Sequence, residues 1–483
     1  MTPLLTFAPD ADPMKPGVIT DCLDIVPSTD GVSAAPPWID YTLTTGSTAA
    51  AASTAVAATA LYDSLGSVAT SHIFSGTGTK IFRYSSISSA ADVSRAGGYT
   101  LGSFESWSFE QFGSSALAAT PSAKIQFATA MSSSSFADIS TAPQAAVIKA
   151  AAGFVVAFNV DGVGDAWKCS AIYDATDWTL SVATQCVTGR LIDTPGKIVE
   201  AQRIGNDLVA FKRTATYVGR YVGAPVVWQW TRVSESIGCM DQGGSCATPY
   251  GIVFIGVDNF YIFDGTTPRP IGDGTVREWL FVGRKDNSLS EIGLTDAPFY
   301  SPILVWDEHM ALVWIHYHRE TDSDYRTGML CYSPKNGRWG WGTKSGIMCI
   351  TPSFTATDRS VAAIKTNGQL SIRSYANYTS GAQSAGDASF TTGLFGSDSM
   401  HSNCRNVRVR YSKIMANPVA SCQGYIVDQS GAAVTAGASS TSLADGRHNM
   451  RQTARWHQFK FSYTGTAFEA TGVEPELTPA GTR

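Results

Sequence analysis

Several places in the sequence group side chains that could do chemistry. His316 and His318 stand at alternate positions of an apolar run, so on a strand both imidazoles leave one face and could share a metal ion with Asp307 or Glu320. Asp161 and Asp165, interleaved with Gly162 and Gly164, suggest a calcium loop but lack the alternating oxygen ligands and distal Glu of an EF-hand. Gly76-Thr-Gly-Thr-Lys80 has the glycine and lysine of a phosphate loop without the spacing that lets backbone amides wrap a phosphate. Each has a plainer reading that the residues favour: a strand end entering the charged loop 319–325, a Gly-rich hairpin connection, and a hairpin loop. Cys239 and Cys246 are too far apart for the two-residue zinc spacing. No nucleophile elbow occurs, and Glu308-His309 lacks the second histidine of a zincin helix. No catalytic residue, cofactor or metal ligand is therefore assigned, and the chain is expected not to be an enzyme.

One stretch reads as a surface for a partner. Arg447, Arg451, Arg455, Trp456 and Lys460 mix cations with an aromatic ring, which suits a phosphate backbone or an acidic protein face; a solvated strand face is the competing reading.

The elements that must position these residues are β-strands. Charged residues make up 16% of the 483, against about 25% in ordinary globular proteins, while 11% are aromatic and 44% apolar. That excludes disorder and coiled coil, and no apolar run reaches the length of a membrane span. Glu, Lys and Leu are scarce and Ser, Thr, Val, Gly, Tyr and Trp plentiful, the balance of strands and turns. Net charge is −5, unevenly placed: residues 401–483 hold nine Lys or Arg and five Asp or Glu, leaving −9 on the first 400. Nine scattered cysteines and no signal peptide at Met1 fit buried thiols in a reducing compartment.

Residues 1–65 divide into a Pro-rich extended arm and an Ala/Thr-rich segment, 46–65, that suits either a helix or an inserted loop. From His72, short apolar runs recur near 72, 123, 154, 208, 252, 310 and 360, each closed by Gly, Asp or Asn turns. A unit of about 50 residues with several short strands is the size of a four-stranded propeller blade, and blades must stack because one sheet cannot cover both of its faces. The expected fold is mainly β: a propeller-like domain of five to seven blades over 66–385, and a small C-terminal β region over 386–483 in which 406–411 and 456–463 alternate with period two. A stack of β-sandwiches is the competing architecture.

Several segments in order resemble the packaged-DNA stabilisation proteins of short-tailed bacteriophages. They are Asp92-Val-Ser-Arg-Ala-Gly-Gly-Tyr99, Trp107-Ser-Phe-Glu-Gln-Phe-Gly113, Ser135-Phe-Ala-Asp-Ile-Ser140 with Pro143-Gln-Ala145, Gly153-Phe-Val-Val-Ala157, Trp228-Gln-Trp230 and Ile237-Gly-Cys239. The series continues through Phe254-Ile-Gly-Val-Asp-Asn-Phe-Tyr-Ile-Phe-Asp-Gly265, Val276-Arg-Glu-Trp-Leu-Phe281, Arg455-Trp-His-Gln-Phe-Lys460 and Pro479-Ala-Gly481.

The resemblance implies a tail hub or nozzle in the virion, assembled in the host cytoplasm as a homo-oligomeric, hexameric ring. Such a ring sits below the portal and its adaptor ring, helps retain packaged DNA, carries the tail needle and fibres or spikes, and passes double-stranded DNA without reading its sequence. It brings no catalytic set and no cofactor. An acidic body lining the lumen would not grip phosphate, leaving the arm and the basic C-terminal strands for subunit and adaptor contacts. The alternatives are a propeller-fold carbohydrate-binding protein or hydrolase, and a head-to-tail stopper ring.

Overall fold

The recurring unit of the sequence becomes an antiparallel four-stranded sheet, repeated around an axis. A computed structural model describes residues 2–42, 55–63, 70–86, 88–132, 134–282, 301–319, 326–354, 359–373, 387–412, 418–428 and 433–481. Blade 1 runs Ala57–Asp63, Thr70–Gly76, Ile81–Ser86 and Ser89–Asp92; blade 2 runs Ser108–Phe112, Ser115–Thr120, Ala123–Ala128 and Ala137–Asp138. Blade 3 spans Ala145–Ala151 to Thr188–Arg190, blade 4 Ile198–Ile204 to Val227–Ser234, and blade 5 Ser245–Thr248 to Pro268–Pro270. A seven-stranded sheet supplies the last two blades. Its long strand Arg338–Phe354 pairs with Arg326–Ser333 through its first half and with Arg359–Lys365 through its second, so it is the outer strand of blade 6 and the inner strand of blade 7. The fold is a β-propeller, and this division gives seven blades, the upper end of the expected range.

Each interface between neighbouring blades is filled by an apolar cluster, and the one between blades 5 and 6 is continuous with the core of the C-terminal strands. Phe211 and Phe254 meet with ring centroids 4.8 Å apart between blades 4 and 5, and Cys349 and Ile364 of blade 7 pack with Ile73 and Tyr84 of blade 1, which closes the ring. The apolar runs expected to open the blades are instead their second strands, Phe154–Val160, Asp207–Lys212, Gly251–Ile255, Leu312–Tyr317 and Arg359–Lys365 among them. The exception is the run at 123, which is the third strand of blade 2. The cause is burial: the second strand is covered by a neighbouring blade on each face, so Val155, Val156, Ala157 and Phe158 are all fully buried. The inner strand lines the axis and stays partly polar.

Two expectations for residues 1–65 are corrected. The Ala-rich segment is mainly strand where it is described: Ala57–Asp63 is the inner strand of blade 1, because pairing with Thr70–Gly76 outweighs the helix preference of alanine. Residues 46–54, 64 and 65 lie outside the described residues, as does the Gly/Ser-rich stretch 379–386. The Pro-rich segment is extended, as expected, but instead of standing off as an arm it pairs into sheets of its own chain. Trp38–Asp40 pairs with Leu370–Arg373 as the outermost strand of blade 7, so the N-terminal chain closes the ring. Before it, Thr6–Phe7, Val18–Leu23, Ile25–Pro27 and Val32–Ala34 enter two sheets formed with the C-terminal strands. Proline permits this because Pro3 and Pro27 end their strands and Pro36 and Pro37 precede one.

Those two sheets face each other as a sandwich. One holds Arg447–Ala454, His401–Tyr411, Glu469–Gly481 and the hairpin 25–34; the other holds Val18–Leu23, Ala388–Thr392, Trp456–Tyr463, Ser421–Val427 and Thr435–Thr441. Phe390, Phe459, Phe461, Val407, Met450 and Val473 fill the space between them. The expected C-terminal β region is therefore real but is completed by the N-terminus. Phe7 joins the sandwich to the propeller, with Trp279 at 5.3 Å and Trp341 at 6.3 Å. No helix among the described residues is long and apolar enough to cross a membrane.

Candidate functional site

The clusters singled out from the sequence resolve into structural roles. Asp307 does not ligate: one carboxylate oxygen accepts the amides of His309 and Met310 at 3.0 and 3.1 Å and the other accepts the Trp314 indole N–H at 2.9 Å, fixing the hairpin turn. His316 is fully buried in the second strand of blade 6, and burial with the nearby charges of Arg326 and Arg373 pulls its pKa down to about 3. Two cations beside an imidazole repel a metal ion. Glu320 lies outside the described residues, and no group of three metal-capable side chains occurs among them.

Asp161 and Gly162, at φ +49° and +78°, form the tight turn between two strands of blade 3, and Asp165 pairs with Arg190 at 2.8 Å. Thr77 N–H donates to the Lys80 carbonyl at 2.8 Å, so 76–80 is a hairpin loop. All nine cysteines are buried and unpaired, with thiol pKa values raised by burial, as at Cys169, pushed up to about 11.

The C-terminal basic residues do not form one patch. Along Arg447–Ala454 alternate residues are exposed, placing Arg447 and Arg451 on the outer face of the first sheet, while His448, Met450 and Gln452 point into the sandwich. Along Trp456–Tyr463 the inward set is His457, Phe459, Phe461 and Tyr463, so Trp456 and Lys460 lie on the opposite outer face; Arg455 sits at the corner between the strands. Trp456 donates its indole N–H to Asp398 at 2.8 Å. The positive surplus is also locally offset, since Arg410 pairs with Glu474 at 2.5 Å and Arg408 and Arg447 share Asp445.

These exposed pairs hold little stability. Arg410→Ala is expected to shift unfolding in urea by less than about 1 kcal/mol, whereas Phe459→Ala, emptying the sandwich core, costs about 3–5 kcal/mol. Equilibrium melts of both variants check this ordering.

Sequence reasoning missed the axis. The inner strands of blades 2, 3 and 4 place Glu110, Lys149 and Glu200 side by side, and Lys149 and Glu200 each lie in the strand immediately preceding an apolar run. That position points to Lys149 and Glu200 as inner-strand residues only once the runs are assigned to second strands; nothing in it links them to Glu110. Lys149 Nζ lies 3.6 Å from Glu110 Oε2. Glu200 is buried and accepts the amides of Ala201 at 2.8 Å and Gly243 at 2.5 Å. Burial raises the carboxyl pKa of both glutamates, and the Lys149 charge partly offsets the rise.

Lys149 and Glu200 border a cavity of about 310 Å³ on the axis, whose wall includes Trp306, Phe104, Gln202 and Gln242. A second opening, bordered by Glu110, Gln111, Arg203 and Gly205, shares Lys149 and Gln202 with it. Asp241 and Arg326 also border the first cavity but are engaged: Asp241 accepts the Ser301 hydroxyl, and Arg326 donates to the carbonyls of Ser301 and Met348.

No family model matches the chain, and no curated protein matches it. Among solved structures it is similar to one described as YCF48 bound to D1 peptide, at 12% identity and TM-score 0.38 over 72% of this chain and 97% of that one. It is also similar to a crystal structure of the mitotic checkpoint complex, at 8% identity and TM-score 0.39 over 74% of this chain and 92% of that one. Likeness at this level bears on neither ligand nor partner.

Proposed function

We propose that this chain is a structural subunit of the tail of a short-tailed bacteriophage, a hub or nozzle that assembles into a ring and prolongs the DNA channel beneath the portal and its adaptor. The observation that carries the reading is the ordered resemblance to packaged-DNA stabilisation proteins. Its segments span the architecture: Trp107–Gly113 contains the inner strand of blade 2, Phe254–Gly265 runs through the central strands of blade 5, and Arg455–Lys460 opens a central strand of the sandwich.

Charge supports the same reading. Residues 1–400 carry −9, and a wall drawn from them repels phosphate and releases no counterions, so DNA slides instead of sticking. Residues 2–42 are committed to their own chain, so contacts with neighbouring copies, the adaptor, the needle and the fibres fall to exposed surfaces. Arg451 and Lys460 present cations on the two outer faces of the sandwich.

Electron microscopy of the purified chain, alone and with portal and adaptor, tests this. The expected result is a sixfold ring below the adaptor with an acidic lumen. A chain that stays monomeric with the adaptor present, or a ring with a basic lumen, overturns it.

A further inference from the structure

We propose that the axial cavity of the propeller is a binding site for a neutral saccharide of one or two pyranose rings. The cavity, at about 310 Å³, lies at the small end of the roughly 300–1,000 Å³ typical of small-molecule sites. Its wall combines aromatic surface with unspent hydrogen-bonding groups. Phe104 is 72% exposed, and Trp306 is half-buried with no partner for its indole N–H among the described residues. Gln202 and Gln242 donate their amide N–H groups to the carbonyls of Ser245 and Ala146, both at 3.1 Å. Their side-chain oxygens have no partner among the described residues and are free to accept.

Charge selects the class of ligand. The wall carries charges of both signs, Lys149 and Arg326 against Glu200 and Asp241, so a cationic ligand would meet an ammonium and a guanidinium and an anionic one two carboxylates. An uncharged polyol meets neither repulsion and can use both donors and acceptors. Its C–H faces suit the rings of Phe104 and Trp306, which also bury apolar area on contact. A purely apolar ligand would instead strand the polar groups of the wall without partners. The site belongs to a single chain and is independent of ring assembly.

The test is saturation-transfer NMR on the full-length chain with methyl glycosides of glucose, galactose, mannose and N-acetylglucosamine, alongside glucuronate and glucosamine as charged probes. Transfer to at least one neutral glycoside is expected, with affinity at least tenfold weaker in Trp306→Ala and in Gln202→Ala. Melting curves of both variants establish that they fold, and Trp306→Phe, which keeps an aromatic face, should retain part of the binding. Absence of transfer to every neutral glycoside, undiminished transfer in both folded variants, or tighter binding of a charged probe overturns the proposal. Because the readout is taken in solution, it stands or falls separately from the microscopy of the ring.

Discussion

Removal of residues 1–42 is expected to abolish cooperative folding of the remaining chain. The segment is peripheral in sequence but central in packing: Phe7, Ile19, Ile25, Val26 and Val32 are buried at 0–1% exposure, and each would leave a hole in the sandwich or in its joint with blade 6. A single Phe7→Ala substitution in such a site costs about 3–5 kcal/mol, a large share of the 5–15 kcal/mol that holds a typical domain together.

The truncation also opens the ring. Blade 7 loses its outer strand, including Asp40, which takes hydrogen bonds from Lys365 at 2.6 Å and Ser371 at 2.7 Å. Arg373, fully buried, loses the Pro36 carbonyl at 2.8 Å and the Trp38 ring, whose centroid lies 4.5 Å from the guanidinium carbon. Arg373 keeps the Met329 sulfur at 2.9 Å and the Trp314 ring, but a buried charge that loses two of its contacts adds to the cost. Circular dichroism melts and limited proteolysis of the truncated chain measure the effect, and a peptide of residues 1–42 added in trans should restore part of the protection. A truncated chain that melts as sharply as the full one, at the same temperature, would show that neither the closing strand nor the sandwich strands matter.

That expectation runs against the first impression of the sequence, in which seven prolines before residue 40 argue for an extended arm. Proline density reports correctly that no helix or central strand forms there. It is silent on pairing, because a strand two or three residues long can end at a proline and still join a sheet whose other members lie more than 350 residues away, as Thr2–Pro3 does with Val473 and Gly472. The blades were legible because their second strands are covered on both faces and so read as unbroken apolar runs. The inner strands were not, since one side meets the axis and their polar residues look like those of any half-exposed strand. Glu110, Lys149 and Glu200 belong together only after the ring closes, and nothing local in the sequence marks that closure. The C-terminal cations show the opposite case: they are close in sequence, but the turn at Arg455 sends Arg451 and Lys460 to opposite faces.

The second large effect is acid instability with its origin at His316. In the unfolded chain this imidazole takes up a proton near pH 6.5, but in the fold burial and the charges of Arg326 and Arg373 hold it neutral down to about pH 3. Between those values the unfolded state binds more protons than the folded one, so stability falls as pH falls from about 6.5 toward 3 and is fully retained above 6.5. A separation of that size corresponds to roughly 3–5 kcal/mol by linkage. His448 and His457, also lowered by burial, act in the same direction. Glu110 and Glu200, whose carboxyls are raised by burial, act oppositely and recover part of the loss on acidification. The difference between the wild type and His316→Leu isolates the one group. Urea melts at pH 7, 6, 5 and 4 should show the two proteins converging, or the variant becoming the more stable, as the pH drops. Curves that stay parallel across that range would mean that His316 titrates in the fold much as it does in the unfolded chain, and that the two arginines do not hold it neutral.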